Sequence, residues 1–224
     1  MDHVRELPRA GAVRAWLVDT ETPSRIGPVD GAGVLDADEL RRAAAFRFDR
    51  DRERYVAAHL ALRGILGEQL GRAPGEVRFV RQPCPDCGKP HGRPALADAP
   101  RLHFSLSHSG DRALVALAAA PVGADVEEVP SRTIAEELAT VLHPREQAEL
   151  ASLDDPLERR TAVARVWVRK EAYLKGLGIG LARRTDLDYV GSVPGSPVAP
   201  DGWTVHDVPM PEGYAAAVAL SPRP

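Results

Sequence analysis

LHFSLSHSGDRALVALAAAPVGADVE, residues 102–127, is the stretch of the chain with the clearest β character. It reads as three strands, Leu102–Ser107, Arg112–Ala119 and Val122–Glu127. Ser109-Gly110-Asp111 and Ala120-Pro121 supply the turns, and turns this short predict antiparallel neighbours. The third strand carries Asp125 and Glu127. Residues i and i+2 of a strand share a face, so the two carboxylates converge.

Upstream, Val13–Asp19 reads as a strand, and Asp36 with Glu39 reads as the capping box of a helix. A second helix is expected over Asp49–Leu70. Tyr55, Ala58, Leu62 and Ile65 form its apolar stripe, and Gly71 stops it. A strand is expected at Val77–Val80. Prolines 83, 85, 90, 94 and 100 make residues 81–100 a loop. Downstream, helices are expected near 131–142, 144–152 and 156–176. The last has Asp155 as N-cap, Pro156 at its first position and Glu158 three past the cap. Strands are expected at Asp186–Val190, Trp203–Val208 and Tyr214–Leu220, with a Gly/Pro/Ser-rich loop over 191–202. Each half therefore combines helices with a small sheet, which makes the chain α/β of the α+β kind.

The whole chain has 224 residues, 44% hydrophobic and 27% charged, with a net charge of −3. This is the balance of a globular chain, long enough for one large domain or two small subdomains. The slight acidic excess argues against a nucleic-acid binder. The longest apolar run, Ala113–Val122, is too short to span a bilayer. The N-terminus shows no basic start followed by an apolar segment, so no signal peptide is expected. Two cysteines then suggest a reducing, cytoplasmic setting. Of 29 basic side chains, only Lys89, Lys170 and Lys175 are lysines.

Converging oxygen ligands such as Asp125 and Glu127 suit a hard cation, Mg²⁺ rather than zinc. Taken alone, on an edge strand, they read more readily as two solvated acids, because exposed acids are common. Trp167, Glu171 and Lys175 follow at i, i+4 and i+8 along one helix face. Glu171 is either a third ligand or general base, or half of a helical ion pair. Ser107, His108 and Ser109 sit where a strand enters a turn, a common place for anion contacts. Arg47, Arg50 and Arg54 would lie along one side of a continuous helix. There they form a clamp for a polyanion or a solvated charged face. Cys84-x-x-Cys87 with His91 four residues on is half of a zinc site. Structural zinc, a reduced thiol pair and a disulfide all remain open for it.

Taken together, Phe104-x-x-Ser107-His108-Ser109, Gly123-x-Asp125-x-Glu127 and Trp167-x-x-Lys170-Glu171-Ala172-x-x-Lys175 resemble the surfactin-synthetase (Sfp) type of 4′-phosphopantetheinyl transferase. The resemblance covers residues 45–190. The family's Gly-Lys-Pro element is matched by letter at Gly88-Lys89-Pro90, but Gly92-Arg93-Pro94 fits the spacing to His103 better, which favours Arg93 as a phosphate ligand. Ala124 stands where the family usually has Ile or Val, and Val168 where Ser or Thr is frequent.

The resemblance implies transfer of phosphopantetheine from coenzyme A to a serine of an apo acyl- or peptidyl-carrier protein. Such carriers serve fatty acid, polyketide or nonribosomal peptide assembly. It implies Mg²⁺ on Asp125, Glu127 and Glu171, with Glu171 as base and Lys175 meeting charge on the phosphate. Arg47, Arg50, Arg54, Arg93, Ser107 and His108 would bind coenzyme A. The implied fold is two similar subdomains, each a small, mainly antiparallel sheet packed with helices, with the active site in the cleft between them. The expected division is 1–110 and 111–224, in a monomer with no nucleic-acid or membrane partner. A non-catalytic homologue that binds coenzyme A or a carrier, and a Mg²⁺-dependent nucleotide phosphohydrolase, are the alternatives.

Overall fold

The alternation of β2 (Arg14–Asp19) sets the layering. Ala15 and Leu17 point to one core, and Trp16 and Val18 to another. The computed structural model describes residues 3–22, 31–90, 92–179 and 183–222. In it β2 is flanked by β1 (Val4–Glu6) and β6 (Arg112–Ala118), and β6 pairs on its other edge with β5 (His103–Ser109). All these pairings are antiparallel. A short hairpin, β3 (Phe79–Arg81) and β4 (Pro94–Leu96), lies between. Helix α1 covers Ala37–Ala44 and α2 covers Asp49–Leu70. Through Ala58, Ala61, Leu62, Ile65 and Leu66, α2 packs on the Trp16 face of the first sheet.

The second sheet is β7 (Val122–Glu128), β9 (Tyr214–Leu220) and β8 (Thr204–Asp207), in that spatial order and antiparallel. Val122, Ala124 and Val126 of β7 meet Leu17, Leu114 and Ala116 of the first sheet. Sheet therefore faces sheet. On the far side α5 (Pro156–Leu177) packs Val168, Ala172 and Leu174 onto Ala217 and Ala219 of β9. Helices α3 (Arg132–Ala139) and α4 (Pro144–Ala151) support α5 through Leu150, Val163 and Val166. The order is helix, sheet, sheet, helix, with a 22-residue helix on each outer face.

The capping residues act as their types require. The Asp36 side chain accepts the N–H groups of Asp38 and Glu39, and the Glu39 carboxylate in turn accepts Asp36 N–H. Asp155 accepts Glu158 N–H at 2.7 Å. Gly71 and Gly178 end the two long helices at φ 64° and 81°, backbone angles that a side chain disfavours.

The turn at Ala120-Pro121 does not pair β6 with β7. Both edges of β6 are already taken by β2 and β5, so the chain crosses to the second sheet there. Instead β7 runs beside β5, joined by side chains. Ser105 Oγ accepts Ala124 N–H at 3.0 Å, and Ser109 Oγ accepts Glu128 N–H at 3.2 Å. A division at 110/111 would separate β5 from β6, which pair over His103–Ser109. We propose the division at 119–121. Asp186–Val190 forms no strand, because its end is captured by a side chain: Val190 N–H donates to Glu146 Oε1 at 2.7 Å. The strand expected at Val77–Val80 begins at Phe79, after a 3-10 turn at Pro74–Glu76. The expected loop over 81–100 contains β4.

Candidate active site

The faces of β7 dictate what meets α5. With Val122, Ala124 and Val126 turned to the sheet–sheet core, Gly123, Asp125 and Glu127 turn to the helix. A Cβ on Gly123 would stand 1.9 Å from Ala172 O, and one on Gly176 would stand 2.5 Å from the Trp203 ring. Only glycine permits this approach. It lays Glu171 and Lys175 of α5 over Asp125. Trp167, at the other end of that face, packs instead against the α3–α4 cluster.

Asp125 is 1% exposed. Its Oδ1 accepts from Ser107 Oγ at 2.7 Å and from Lys175 Nζ at 2.6 Å, and Lys175 Nζ also donates to Ser107 Oγ at 2.9 Å. Its Oδ2 is buried with no partner. Burial raises the Asp125 pKa against the lowering by Lys175 and Ser107. Burial also raises Glu127, with Asp125 adding to it and a bond to Ser109 opposing it. Glu171 is pushed up to about 7 by burial, then by Asp125, with Lys175 opposing and Glu127 adding. Each acid thus feels the others across the β7–α5 contact, with Lys175 as the near cation. Among the described residues, no three His, Cys, Asp or Glu side chains form a metal-holding group as they stand. The donor set nevertheless fits a hard cation. It is all oxygen, mutually repelling, and includes a buried carboxylate oxygen without a partner.

A cavity of 520 Å³ adjoins this cluster, lined by Arg42, His59, Phe79, Arg81, Arg93, Phe104 and Lys175 among others. Arg93 is half-buried. It donates to Gln82 Oε1 at 2.7 Å and to Gly176 O at 2.9 Å, so it ties the hairpin to the last turn of α5. Burial lowers its pKa. Burial, then the nearby Arg42, also lowers the Arg81 pKa. The wall behind Arg42 is fixed by Arg63, which is 1% exposed. Arg63 donates to Glu39 Oε2 at 2.7 Å and to Asp36 Oδ2 at 2.9 Å. Burial works to raise Glu39, but bonds from His59 and Arg63 outweigh it and leave the pKa lowered.

His108 keeps an exposed edge, with its ring 6.2 Å from Tyr55. Crowding, then His59 and Lys175, lowers its pKa. The expected arginine clamp is not built as one row. Helix α2 begins at Asp49, so Arg47 precedes it and lies 5.2 Å over the Phe48 ring. Arg50 is exposed, 3.8 Å from Asp51, and Arg54 is half-buried. None of the three lines the cavity, while Arg42 and Arg81, which the sequence did not single out, do. Cys84 is buried and Cys87 exposed, with no disulfide joining them in this structure. His91 lies outside the described residues.

Residues 121–195 match the model of the 4′-phosphopantetheinyl transferase superfamily, and residues 23–122 match that of a 4′-phosphopantetheinyl transferase N-terminal region. The chain is 34% identical to the 4′-phosphopantetheinyl transferase HetI of Nostoc, over 93% of this chain and 87% of that one. It is 24% identical to the 4′-phosphopantetheinyl transferase Sfp of Bacillus subtilis, over 68% and 64%. It is 28% identical to the human L-aminoadipate-semialdehyde dehydrogenase-phosphopantetheinyl transferase, over 78% and 59%. No helix among the described residues is long and apolar enough to cross a membrane.

Proposed function

The chain belongs to the 4′-phosphopantetheinyl transferase superfamily, and we propose that it moves phosphopantetheine from coenzyme A to a serine of an apo acyl- or peptidyl-carrier protein. The observation that carries this reading is the apposition of Asp125, Glu127 and Glu171 with Lys175, which also lines a cavity shared with Arg42, Arg81 and Arg93.

Asp125, Glu127 and Glu171 would hold Mg²⁺, whose chemistry is to neutralise pyrophosphate charge. In the reaction the serine oxygen bonds to the β-phosphorus and the phosphoanhydride bond breaks. Adenosine 3′,5′-bisphosphate leaves. Glu171, beside Asp125 and Lys175, is placed to take the serine proton. Lys175 faces the charge that builds on the transferred phosphate. Arg42, Arg81 and Arg93, through guanidinium forks that suit phosphate, and His108 through its ring nitrogen, hold the nucleotide phosphates. Ser107 positions Lys175 and Asp125 by its two bonds. Arg47, Arg50 and Arg54 act at most at the rim. The setting is cytoplasmic, in keeping with two cysteines that are not bridged.

Mass spectrometry of a panel of apo-carriers, incubated with the protein, coenzyme A and Mg²⁺, tests the reading. A carrier that gains the mass of phosphopantetheine is the expected result. Unchanged carriers across the panel, with coenzyme A cleaved, would replace it with the phosphohydrolase reading.

A further inference from the structure

Between β3 and β4 the chain makes a tip, and the reaction above leaves its residues 82–90 unused. It contains almost nothing to form a core. Over residues 82–90 Cys84 is the buried side chain, and the others are partly or fully exposed. Yet the tip is tightly bonded. Gln82 N–H donates to Arg93 O at 3.1 Å, and Gly92 N–H to Gln82 O at 2.9 Å. Further out, Cys84 N–H donates to Lys89 O at 2.7 Å, and Gly88 N–H returns to Cys84 O at 2.8 Å. Gly88 closes this turn at φ 70°, where a side chain would be strained. Inside the turn, the backbone N–H groups of Cys87 and Asp86 donate to the Cys84 sulfur, and the two thiol groups are in hydrogen-bonding contact.

A buried cysteine ordinarily behaves as a small hydrophobe, with no need of donors. Two N–H groups aimed at one sulfur, with a second sulfur beside it, form an environment that stabilises thiolate charge. Thiolate pairs select soft cations, and a loop without a core is where a structural metal contributes folding energy. We propose that Cys84 and Cys87 are thiolate ligands of a zinc ion at the tip of the β3–β4 hairpin. Binding releases the two thiol protons to solvent. The proposal rests on the two thiols and not on His91. The ion would close the tip at whose base Arg81 and Arg93 stand, where β3 ends and β4 begins, so it would fix those two arginines at the cavity wall. The site is independent of the reaction proposed above.

Elemental analysis of the full-length protein, purified without added metal, should find about one zinc per chain. Cobalt titrated into metal-stripped protein should give the near-ultraviolet charge-transfer absorption of thiolate ligation. Cys87 is exposed, so Cys87→Ser is expected to fold, to lose the zinc and to lose most of that absorption. Chelation of the zinc-bearing protein should speed amide exchange at Gln82, Cys84 and Gly92. Protein that binds neither zinc nor cobalt would overturn the site. Full absorption in Cys87→Ser would overturn the ligand pair. Unchanged exchange on chelation would overturn the closing of the hairpin.

Discussion

Glu171 sits where a carboxylate is least comfortable without a cation. Burial and the facing Asp125 raise its pKa from 4.5 to about 7. A raised carboxyl binds its proton more tightly folded than unfolded, so stability is lost as pH climbs from about 4.5 through about 7. Asp125 and Glu127 are shifted in the same direction and add to the loss. A cation that binds the ionised acids reverses it. Metal-free protein should therefore melt at a lower temperature at pH 8 than at pH 5.5, and Mg²⁺ should raise the melting temperature more at pH 8. Glu171→Gln should flatten the metal-free profile and shrink the Mg²⁺ effect. Equal Mg²⁺ shifts at both pH values, or none, would count against the acids as a cation site. Strand and helix periods put Asp125 with Glu127, and Glu171 with Lys175, on shared faces in the sequence, and only the family resemblance joined the two pairs. Arg42 and Arg81 were not legible there. They come from the end of α1 and from β3, and only packing brings them to one cavity.

The contact of β7 with α5 carries the candidate site, and it depends on two glycines. Adding one methyl at Gly123 places a carbon against Ala172 O, a backbone atom that cannot swing aside. Overpacking of this kind costs about 1–3 kcal/mol. It also lifts Glu171 and Lys175 away from Asp125. Gly123→Ala should then lower the melting temperature and reduce turnover far more than its stability loss explains. Refolded protein with wild-type turnover would show that the close approach is dispensable. Arg63 is the corresponding anchor of α1 on α2. Arg63→Ala strands Glu39 beside His59 without its main cation, and breaking a buried pair costs about 3–5 kcal/mol, to be read from denaturant unfolding. The two long helices were legible nearly to the residue, because Asp155, Pro156 and Gly71 mark three of their ends chemically. Strand partners were less so. The run Asp186–Val190 alternates like a strand, but Glu146 takes its terminal N–H and no ladder forms. Pairing is a property of neighbours, and a single segment does not carry it.

The cavity belongs to both halves of the molecule, with Arg42, Arg81 and Arg93 contributed by the first and Lys175, Gly178 and Ile179 by the second. A ligand that fills it is held by both, and its phosphates meet Arg42 and Arg81, the first of which helps to lower the pKa of the second. This separates two groups of arginines that composition alone treats alike. Coenzyme A differs from dephospho-coenzyme A by the 3′-phosphate, and a charge-assisted hydrogen bond contributes about 1.5–3 kcal/mol. Arg42→Ala and Arg81→Ala should therefore raise the KM for coenzyme A by roughly 10- to 150-fold. The dephospho form should change much less, so the two substrates converge. Arg50 lies outside the cavity and is exposed, so Arg50→Ala should leave both KM values within about twofold, as surface charges generally do. Lys175→Ala is the internal control. It acts on the transferred phosphate, so it should slow both substrates by a common factor through kcat. If Arg50→Ala penalises coenzyme A as strongly as Arg42→Ala, the nucleotide lies along the start of α2 and not in the cavity between the halves.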